Sequence, residues 1–419
     1  MNGTKLYQDS EIAPLRWVVV HEPGAEVEQM TPATAGELLY NDIVPGEVVR
    51  KEHRAFRRLL ERYAKVEEIT DLLIEALRSE AGRAFASEGI GKLAPWIEFT
   101  ADSSSAEELA RVLVEGVQKR SRGFAEYFSP RHYDLPPLPN LYFMRDSAFV
   151  FRNTLFLGSM AHKVREGETM LTELALRFGG RFEVPGVVEM SDRIEGGDIA
   201  VLSGNLIVAG LSQRTSPESL DRLASEAAAA AGEAVTVIGV VLPSERSTIH
   251  LDMVFTQIDE ELALVHERTL STAKALSVTV EPGSGTLLQE FSSLREALRA
   301  AGKPLEFIRC GGDDPVSEAR EQWLAAANTF ALAPGAIVTF EANSATNSRL
   351  EKAGFTLLVP GEDALPDPPL SGRYAFTIPG VELARGGGGP RCMTLPVVRA
   401  AAPLSYATHP GGESTILGS

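Results

Sequence analysis

The stretch Ala148-Phe149-Val150-Phe151-Arg152-Asn153-Thr154-Leu155-Phe156-Leu157 is rich in apolar, aromatic and β-branched residues and predicts a buried strand. Similar strands are predicted at 199–208, 235–241 and 336–340. Between and after them, apolar residues at three- and four-residue spacing predict helices at 168–178, 217–231 and 292–301. Because strands alternate with helices, the sequence indicates an α/β fold.

The chain before this region has a different pattern. Trp17-Val18-Val19-Val20 predicts a buried strand that a Pro-Gly turn ends. From about 45 to 130 the pattern is helical, with Ser105 as an expected N-cap, and His53 lies among charges that predict a solvated side chain. We therefore expect one α/β domain over 1–402, interrupted by a helical insertion at about 45–130, and a loose tail at 403–419.

Composition limits the class of protein. The 419 residues are 44% hydrophobic and 23% charged, which is typical of a soluble globular chain. The formal net charge of −17 disfavours nucleic acid and anionic membranes as partners and suits a cationic small molecule. The two cysteines exclude a disulfide framework, and the absence of a signal-like or membrane-spanning segment predicts a cytoplasmic protein.

The glycine-rich stretch Gly386-Gly387-Gly388-Gly389-Pro390-Arg391-Cys392 predicts a reactive thiol. Glycines allow close approach of the backbone, and Arg385 and Arg391 bring cations to both sides of the run. Such surroundings lower the pKa of a cysteine and favour its nucleophilic thiolate. Our hypothesis is that Cys392 is a covalent catalyst, whereas Cys310, among acidic neighbours that raise a thiol pKa, is structural.

Three upstream clusters carry the other candidate groups. Strand alternation would place His250 and Asp252 on one face, although a lone buried histidine is more often structural. The paired glycines of Glu195-Gly196-Gly197-Asp198 suggest close approach to the backbone, with a β-bulge as the alternative, and Asp146 could form only a salt bridge. The spacing fits neither a zinc site nor a phosphate loop. A thiolate, a histidine acid/base and carboxylates instead favour covalent attack on a cationic electrophile.

From about residue 14 to residue 399 the chain resembles the arginine deiminases, which belong to the superfamily of guanidino-group-modifying enzymes. The resemblance rests on several motifs in a fixed order: 39–43 (LYNDI), 139–146 (PNLYFMRD), 163–165 (KVR), 195–198 (EGGD), 212–215 (SQRT), 250–257 (HLDMVFTQ), 310–312 (CGG), 319–323 (AREQW) and 388–393 (GGPRCM).

The resemblance implies a pseudo-fivefold α/β propeller with an inserted helical domain, and hydrolysis of L-arginine to L-citrulline and ammonium through an S-alkylthiouronium intermediate, with no metal or organic cofactor. It implies that Cys392 is the nucleophile, His250 the acid/base and Glu195 the carboxylate that orients the histidine. Asp146 and Asp252 match the pair that binds the guanidinium group. It further implies that Asn140, Arg165 and Arg214 hold the amino-acid end of the substrate, whose carboxylate suits the planar donor fork of arginine. Asp198 is assigned to the substrate site as well.

Related enzymes form dimers or tetramers, so a homo-oligomer is expected. Two alternatives stay open: an arginine amidinotransferase or dihydrolase with the same cysteine chemistry, and a weakly active arginine-binding protein. The second is motivated by Gly387, which stands where deiminases usually carry an arginine, and Met144 replaces a usual threonine. These departures leave affinity, pH optimum and substrate choice open.

Overall fold

A computed structural model describes residues 3–40, 42–96, 104–120, 123–129, 132–282 and 286–401. The predicted tail at 403–419 lies outside the described residues. The described part is a mixture of helices and strands, which confirms the predicted α/β class.

Five sheets in the described part share one pairing pattern. Each contains an antiparallel pair of strands, and one strand of that pair also has a parallel neighbour. Their strands are Leu395–Arg399, Leu15–Val20 and Lys65–Glu68; Ala148–Phe151, Thr154–Leu157 and Gly186–Glu189; Ile199–Ser203, Leu206–Leu211 and Val235–Val241, extended by Ala275–Val280 and Thr286–Phe291; Phe255–Gln257, Leu262–Val265 and Glu306–Arg309; and Phe330–Ala333, Ala336–Phe340 and Tyr374–Ile378, extended by Thr356–Leu358.

Two smaller strand pairs join Thr4–Lys5 to Phe182–Glu183 and Val117–Gln118 to Tyr133–Leu135. The α-helices of the described residues are Ala25–Glu28, Gly46–Tyr63, Ile69–Leu77, Glu80–Leu93, Ala106–Glu115, Phe124–Tyr127, Met144–Ser147, Glu166–Phe178, Pro217–Ala231, Glu267–Leu270, Leu294–Ala300, Pro315–Trp323, Ser344–Lys352 and Val381–Arg385. Short 3-10 helices cover Lys163–Arg165, Gly196–Asp198, Arg246–Thr248 and Leu251–Met253.

Two segments that were predicted as single strands each contain a β-hairpin. Residues 148–157 form two antiparallel strands because the chain turns between them at Arg152, whose φ is +53°. Residues 199–208 likewise span parts of two antiparallel strands. The polar residues Arg152-Asn153 and the Ser203-Gly204-Asn205 stretch interrupt these two apolar runs and are turn signals that the single-strand predictions did not use. The predictions for Val235–Val241, Ala336–Phe340 and Pro217–Ala231 are confirmed.

The predicted solvation of His53 is wrong. In the helix Gly46–Tyr63, His53 shares a buried face with Val49, Phe56 and Leu60, at the spacing that puts residues on one side of a helix. Burial lowers the pKa of His53 to about 3, so the ring is neutral. Local charge around a residue therefore misled the prediction, whereas the helical period would have found its face.

The helices that follow build a core beside the sheets. Ile69–Leu77, Glu80–Leu93 and Ala106–Glu115 pack with Glu166–Phe178 around one apolar cluster. Ser105 caps its helix, as predicted, by accepting a hydrogen bond from the Glu108 backbone N–H at 3.1 Å. No helix among the described residues is long and apolar enough to cross a membrane.

Candidate active site

One cavity collects most of the residues predicted to form the site. It lies between the glycine-rich loop, the 3-10 helix Arg246–Thr248 and the segment that precedes Met144–Ser147. Its lining includes six of the predicted residues: Asn140, Asp146, Arg165, Arg214, His250 and Cys392. Glu195 lies within hydrogen-bond distance of His250, and Asp252 lies 3.5 Å from the sulfur of Cys392. The histidine, the acids and the thiol thus meet, although they are far apart in sequence.

The backbone of the glycine-rich loop packs closely against neighbouring segments. A Cβ at Gly389 would lie 2.8 Å from the carbonyl oxygen of Asn328, so only glycine fits there without a shift. Asn328 then holds Cys392 from two sides. Its Oδ1 accepts the Cys392 backbone N–H at 3.0 Å, and its Nδ2 donates to Sγ at 3.0 Å. The thiol is therefore fixed in position by an amide that no sequence motif singled out.

The predicted lowering of the Cys392 pKa is wrong. Burial raises this pKa well above its ordinary value, and Asp252 and Asp146 raise it further. Arg391 does lie close, but its guanidinium forms a bidentate contact with Glu11 at 2.9 and 2.7 Å and reaches Asp252 at 2.8 Å. Since its charge is balanced by two acids, it stabilises a thiolate only weakly.

His250 is oriented by Glu195. The ring Nε2 lies 2.8 Å from Glu195 Oε2, and Nδ1 lies 3.7 Å from Asp146 Oδ1. Although burial opposes it, the charge of Asp146 and the hydrogen bond to Glu195 raise the pKa of His250 to about 9. The pKa of Glu195 is lowered, because His250, Arg214 and Arg165 outweigh its burial. His250 is therefore a cation near neutral pH and can donate a proton.

The route by which His250 and Asp252 come together differs from the prediction. His250 has extended backbone angles, but Leu251–Met253 is a 3-10 helix, and the strand begins only at Phe255. The two side chains are therefore not related by strand alternation. They still reach one site, since Asp252 Oδ2 lies 3.5 Å from Cys392 Sγ.

Asp146 and Asp252 each have one carboxylate oxygen that forms no hydrogen bond with the described residues. Oδ2 of Asp146 accepts from Arg165 at 2.8 Å, and Oδ2 of Asp252 accepts from Arg391 at 2.8 Å. Both Oδ1 atoms are buried and have no hydrogen bond within the described part of the chain. A buried carboxylate oxygen without a donor is costly. The pair is therefore suited to a ligand that brings N–H groups and positive charge.

The segment Glu195-Gly196-Gly197-Asp198 shows the close approach that its glycines indicate. A Cβ at Gly197 would lie 2.7 Å from His250 Nδ1 and 2.8 Å from Asp146 Oδ1, so a side chain here would displace the site. Asp198 points elsewhere and does not line the cavity. Its oxygens accept from Ser212 Oγ and Thr215 Oγ1, both at 2.7 Å, and from the Leu251 backbone N–H at 2.9 Å. These contacts connect the 212–215 turn to the loop that carries His250.

The two predicted arginines of the cavity are both paired with acids. Arg165 uses Nε and Nη2 on Glu168, at 2.7 to 3.1 Å, and Nη1 on Asp146. Arg214 donates from Nη1 to both oxygens of Glu195 at 3.2 Å. Asn140 is buried and donates from Nδ2 to the carbonyl oxygen of Leu38 at 2.9 Å. All three residues line the cavity, where they could contact a substrate, but the three guanidinium nitrogens of Arg165 already donate to Glu168 and Asp146.

Sequence reasoning missed several residues of the site. The cavity lining also contains Phe143, Arg246, Met253 and Trp323, and Glu11 supports the site through Arg391. A tryptophan and an arginine have no local pattern that marks them as site residues. Phe143, Met253 and Trp323 lie inside the recognised motifs 139–146, 250–257 and 319–323, and Arg246 lies four residues before His250, so membership of or proximity to these motifs was the available signal.

Asp146, Glu195 and His250 also offer ligand atoms that lie within 4.8 Å of one another, as a metal site would. Two observations favour a proton over an ion here. Both oxygens of Glu195 already accept from Arg214, and the pKa of His250 is about 9. A metal ligand must instead be a neutral imidazole.

Comparisons with known proteins agree on one family. A family model described as arginine deiminase matches residues 36–399. The chain is 33% identical to the arginine deiminase of Listeria welshimeri over 93% of this chain and 97% of that protein. It is also 33% identical to the arginine deiminase of Clostridium perfringens, with the same two coverages.

Solved structures show the same fold at low identity. The N-terminal domain of ArgZ, an arginine dihydrolase from cyanobacteria, matches with a TM-score of 0.52 and 15% identity, covering 92% of this chain and 99% of that one. A dimethylarginine dimethylaminohydrolase matches with a TM-score of 0.50 and 14% identity, covering 91% and 99%. These two likenesses concern the fold alone.

Proposed function

The chain belongs to the arginine deiminase family, and from this premise we propose that it hydrolyses L-arginine to L-citrulline and ammonium. The observation that carries the proposal is the pair of unpartnered oxygens on Asp146 and Asp252 beside the Cys392 thiol. A guanidinium ion is planar, always charged and has five N–H donors, so it matches two fixed carboxylates. Its carbon would then lie against the sulfur.

The substrate itself completes the activation of the thiol. Burial and the two aspartates raise the pKa of Cys392. A bound guanidinium places a positive charge between these aspartates and the sulfur, which offsets the repulsion that a thiolate would meet. As the guanidinium enters, the thiol releases its proton to bulk water, because His250 is already protonated, and the thiolate forms only when its target is in place. We propose that this coupling protects the free protein from unproductive thiol chemistry.

His250 then serves as acid and afterwards as base. The thiolate attacks the guanidinium carbon, and protonated His250 gives its proton to the nitrogen that leaves as ammonia. The neutral ring next accepts a proton from the water that attacks the thiouronium carbon. Collapse of the adduct breaks the C–S bond and releases the thiolate and citrulline, and the hydroxyl proton of the adduct passes through solvent to ammonia, which becomes ammonium. Glu195 keeps the ring oriented throughout and stabilises its charged form. Each step uses groups of this chain, with no cofactor.

The amino-acid end of arginine would lie toward the mouth of the cavity. We propose that Asn140, Arg165 and Arg214 shape this end of the site, as the family resemblance implies. Asp198 would act as a positioning residue, because its three hydrogen bonds hold the 212–215 turn and the backbone beside His250. Its predicted contact with substrate stays a prediction.

Product identification tests the proposed reaction. Purified protein incubated with L-arginine should form citrulline and ammonium in equal amounts, measured by chromatography and an ammonium assay. Ornithine as the main product would reject the deiminase and favour a dihydrolase or an amidinotransferase. An arginine-binding protein would instead gain thermal stability from arginine without turnover, and Cys392→Ala would leave that gain unchanged.

We further propose that the five sheets with a common pairing pattern surround a pseudo-fivefold axis, with a helical domain inserted at about 45–130. The support is the repeated combination of an antiparallel and a parallel neighbour. The strand Lys65–Glu68 lies inside that range and pairs with Leu15–Val20, so the chain returns to the sheet before Ile69–Leu77 begins.

We also propose that the protein is cytoplasmic and forms a homo-oligomer, either a dimer or a tetramer. Sedimentation of the purified protein tests the assembly.

A further inference from the structure

Arg246 differs from the other arginines that line the cavity. Arg165 is paired with Glu168 and Asp146, Arg214 with Glu195, and Arg385 lies 3.1 Å from a carboxylate oxygen of its own helix. In the described part of the chain, no carboxylate lies within ion-pair distance of Arg246. Its one hydrogen bond joins Nη2 to the carbonyl oxygen of Leu39 at 2.7 Å. This guanidinium therefore has charge and donors left for a ligand.

The position of Arg246 is fixed by its backbone. It begins the 3-10 helix Arg246–Thr248, four residues before His250. Thr248 Oγ1 donates to the carbonyl oxygen of Pro243 at 2.7 Å, and Gln322 Nε2 donates to the carbonyl oxygen of Ser247. The side chain then extends along the cavity to the segment that carries Leu39. One loop thus carries both His250 and a cation at the same cavity.

Gly387 leaves space beside this cation. A Cβ at position 387 would meet only Arg246 Nη2, at 4.0 Å, and the φ of Gly387 is +106°. The glycine-rich loop supplies no charge at this point. Arg246 therefore provides positive charge on the side of the cavity where Gly387 has no side chain.

The field around Arg246 favours an anion. The Arg246 side chain is exposed, but partial desolvation at the cavity wall lowers its pKa, and the like charge of Arg214 lowers it further. A carboxylate placed between two arginines removes their repulsion and gains charge-assisted hydrogen bonds. Only Nη1 of Arg214 is used on Glu195, so its remaining N–H groups are not committed to that acid. Arg165, by contrast, has all three of its nitrogens on Glu168 and Asp146.

We propose that Arg246, together with Arg214, binds the α-carboxylate of the substrate and is a specificity-determining residue of this site. The inference rests on the proposed function, because the aspartate pair must hold the guanidinium end for the carboxylate to reach Arg246. It predicts selectivity against guanidines that lack a carboxylate. Agmatine, which is arginine without that group, offers the cleanest comparison.

The test compares Arg246→Ala, Arg246→Lys and the matched control Arg299→Ala on L-arginine and agmatine. Arg299 is an exposed arginine of the helix Leu294–Ala300 and does not line the cavity. We expect Arg246→Ala to lower kcat/KM for L-arginine by about 10- to 100-fold, mostly through KM, because a charge-assisted hydrogen bond is lost. Its kcat/KM for agmatine should change by less than about 3-fold. Arg246→Lys should restore part of the loss, and Arg299→Ala should change neither substrate.

Equal losses for arginine and agmatine would overturn the inference, since they would show that Arg246 only supports the loops of Leu39 and His250. Binding separates this result from failure of the proposed function. If the wild-type protein forms no citrulline, calorimetry on Cys392→Ala decides the inference alone. Tighter binding of arginine than agmatine that disappears with Arg246→Ala supports it. Equal binding of the two ligands, or no binding of either, overturns it.

Discussion

Two buried cysteines in this chain have similar neighbours but different surroundings. Burial raises the pKa of both thiols well above the ordinary value, and nearby carboxylates raise it further. Each also has a histidine close to one of these carboxylates. Around Cys310 this histidine is His266, whose Nε2 lies 3.6 Å from Glu318 Oε1. The thiol pKa and the types of neighbour therefore do not distinguish Cys392 from Cys310.

The difference lies in whether the unsatisfied carboxylate oxygens lie beside the cavity. Near Cys310, Glu318 Oε1 is also buried without a hydrogen bond from the described residues, but Glu318 is ion-paired with His266 and Arg268 and does not line the cavity. Near Cys310, the oxygens of Glu321 accept from the Ala345 and Thr346 backbone N–H groups at 2.7 and 2.9 Å, which caps the helix Ser344–Lys352. The thiol packs among apolar side chains such as Phe355. Near Cys392, two aspartates each leave an oxygen unbonded beside a cavity. Unsatisfied acceptors beside a cavity, more than the thiol itself, mark the site.

The largest effect should come from removing each sulfur in turn. Cys392→Ser should lower citrulline formation by about 10⁴- to 10⁶-fold, because the hydroxyl remains protonated at neutral pH and is a poor nucleophile. Cys310→Ser should keep turnover within about 3-fold but lower the free energy of unfolding by about 1 to 3 kcal/mol, because it buries a hydroxyl in an apolar cluster. Initial rates and urea denaturation measure the two effects. Similar losses of turnover in both variants would contradict the assignment.

The next effect should separate thiol reactivity from turnover. Asp252→Asn removes a charge that raises the pKa of Cys392, so alkylation of the free thiol by iodoacetamide at neutral pH should become faster. Turnover of arginine should nevertheless fall by about 100- to 1000-fold, since one of the two carboxylates that bind the guanidinium group loses its charge. Arg391 keeps its bidentate contact with Glu11, which favours correct folding.

The matched control for that variant is Glu318→Gln, which removes a carboxylate next to Cys310. It should leave turnover and the alkylation of Cys392 unchanged. If Asp252→Asn raised turnover along with thiol reactivity, the thiol pKa alone would limit the reaction. The proposed role of the substrate in forming the thiolate would then be wrong.

The outcome of the sequence predictions follows from how each signal arises. The α/β class and the boundaries of Pro217–Ala231 and Val235–Val241 depend on local periodicity, which one sequence contains. The tight turn at Arg152 was missed, although the polar pair Arg152-Asn153 interrupts the apolar run there. Residues such as Asn328, whose contact with Cys392 spans 64 positions, have no local signal at all.

The charge states of the site residues were the property least predictable from the sequence. Arg391 stands next to Cys392 in sequence, and a lowered thiol pKa followed naturally from that adjacency. The folded chain instead brings Glu11 and Asp252 to Arg391 and thereby balances its charge. The sign of a pKa shift depends on every charge within reach and on burial. Both are set by tertiary contacts, so composition and spacing could identify the groups but not their charge states.

The smallest effect should appear in the pH dependence and should again separate the two regions. The pKa of His250 is raised to about 9, so its protonated form dominates below that pH, and kcat should fall as the pH rises through about 9. Glu195→Gln removes the hydrogen-bonded charge that helps to raise this pKa and should move the alkaline limb down by about one to two pH units. Near neutral pH the loss of turnover should be only about 10-fold. Glu318→Gln, which removes the carboxylate beside His266, should leave the alkaline limb of the pH profile in place.

The raised pKa also means that His250 stabilises the fold below its ordinary pKa, and that this contribution is lost as the pH rises through about 9. Rate profiles of kcat against pH and NMR titration of the imidazole signals measure the limb and the pKa independently. An alkaline limb that does not move in Glu195→Gln would show that a group other than His250 donates the proton.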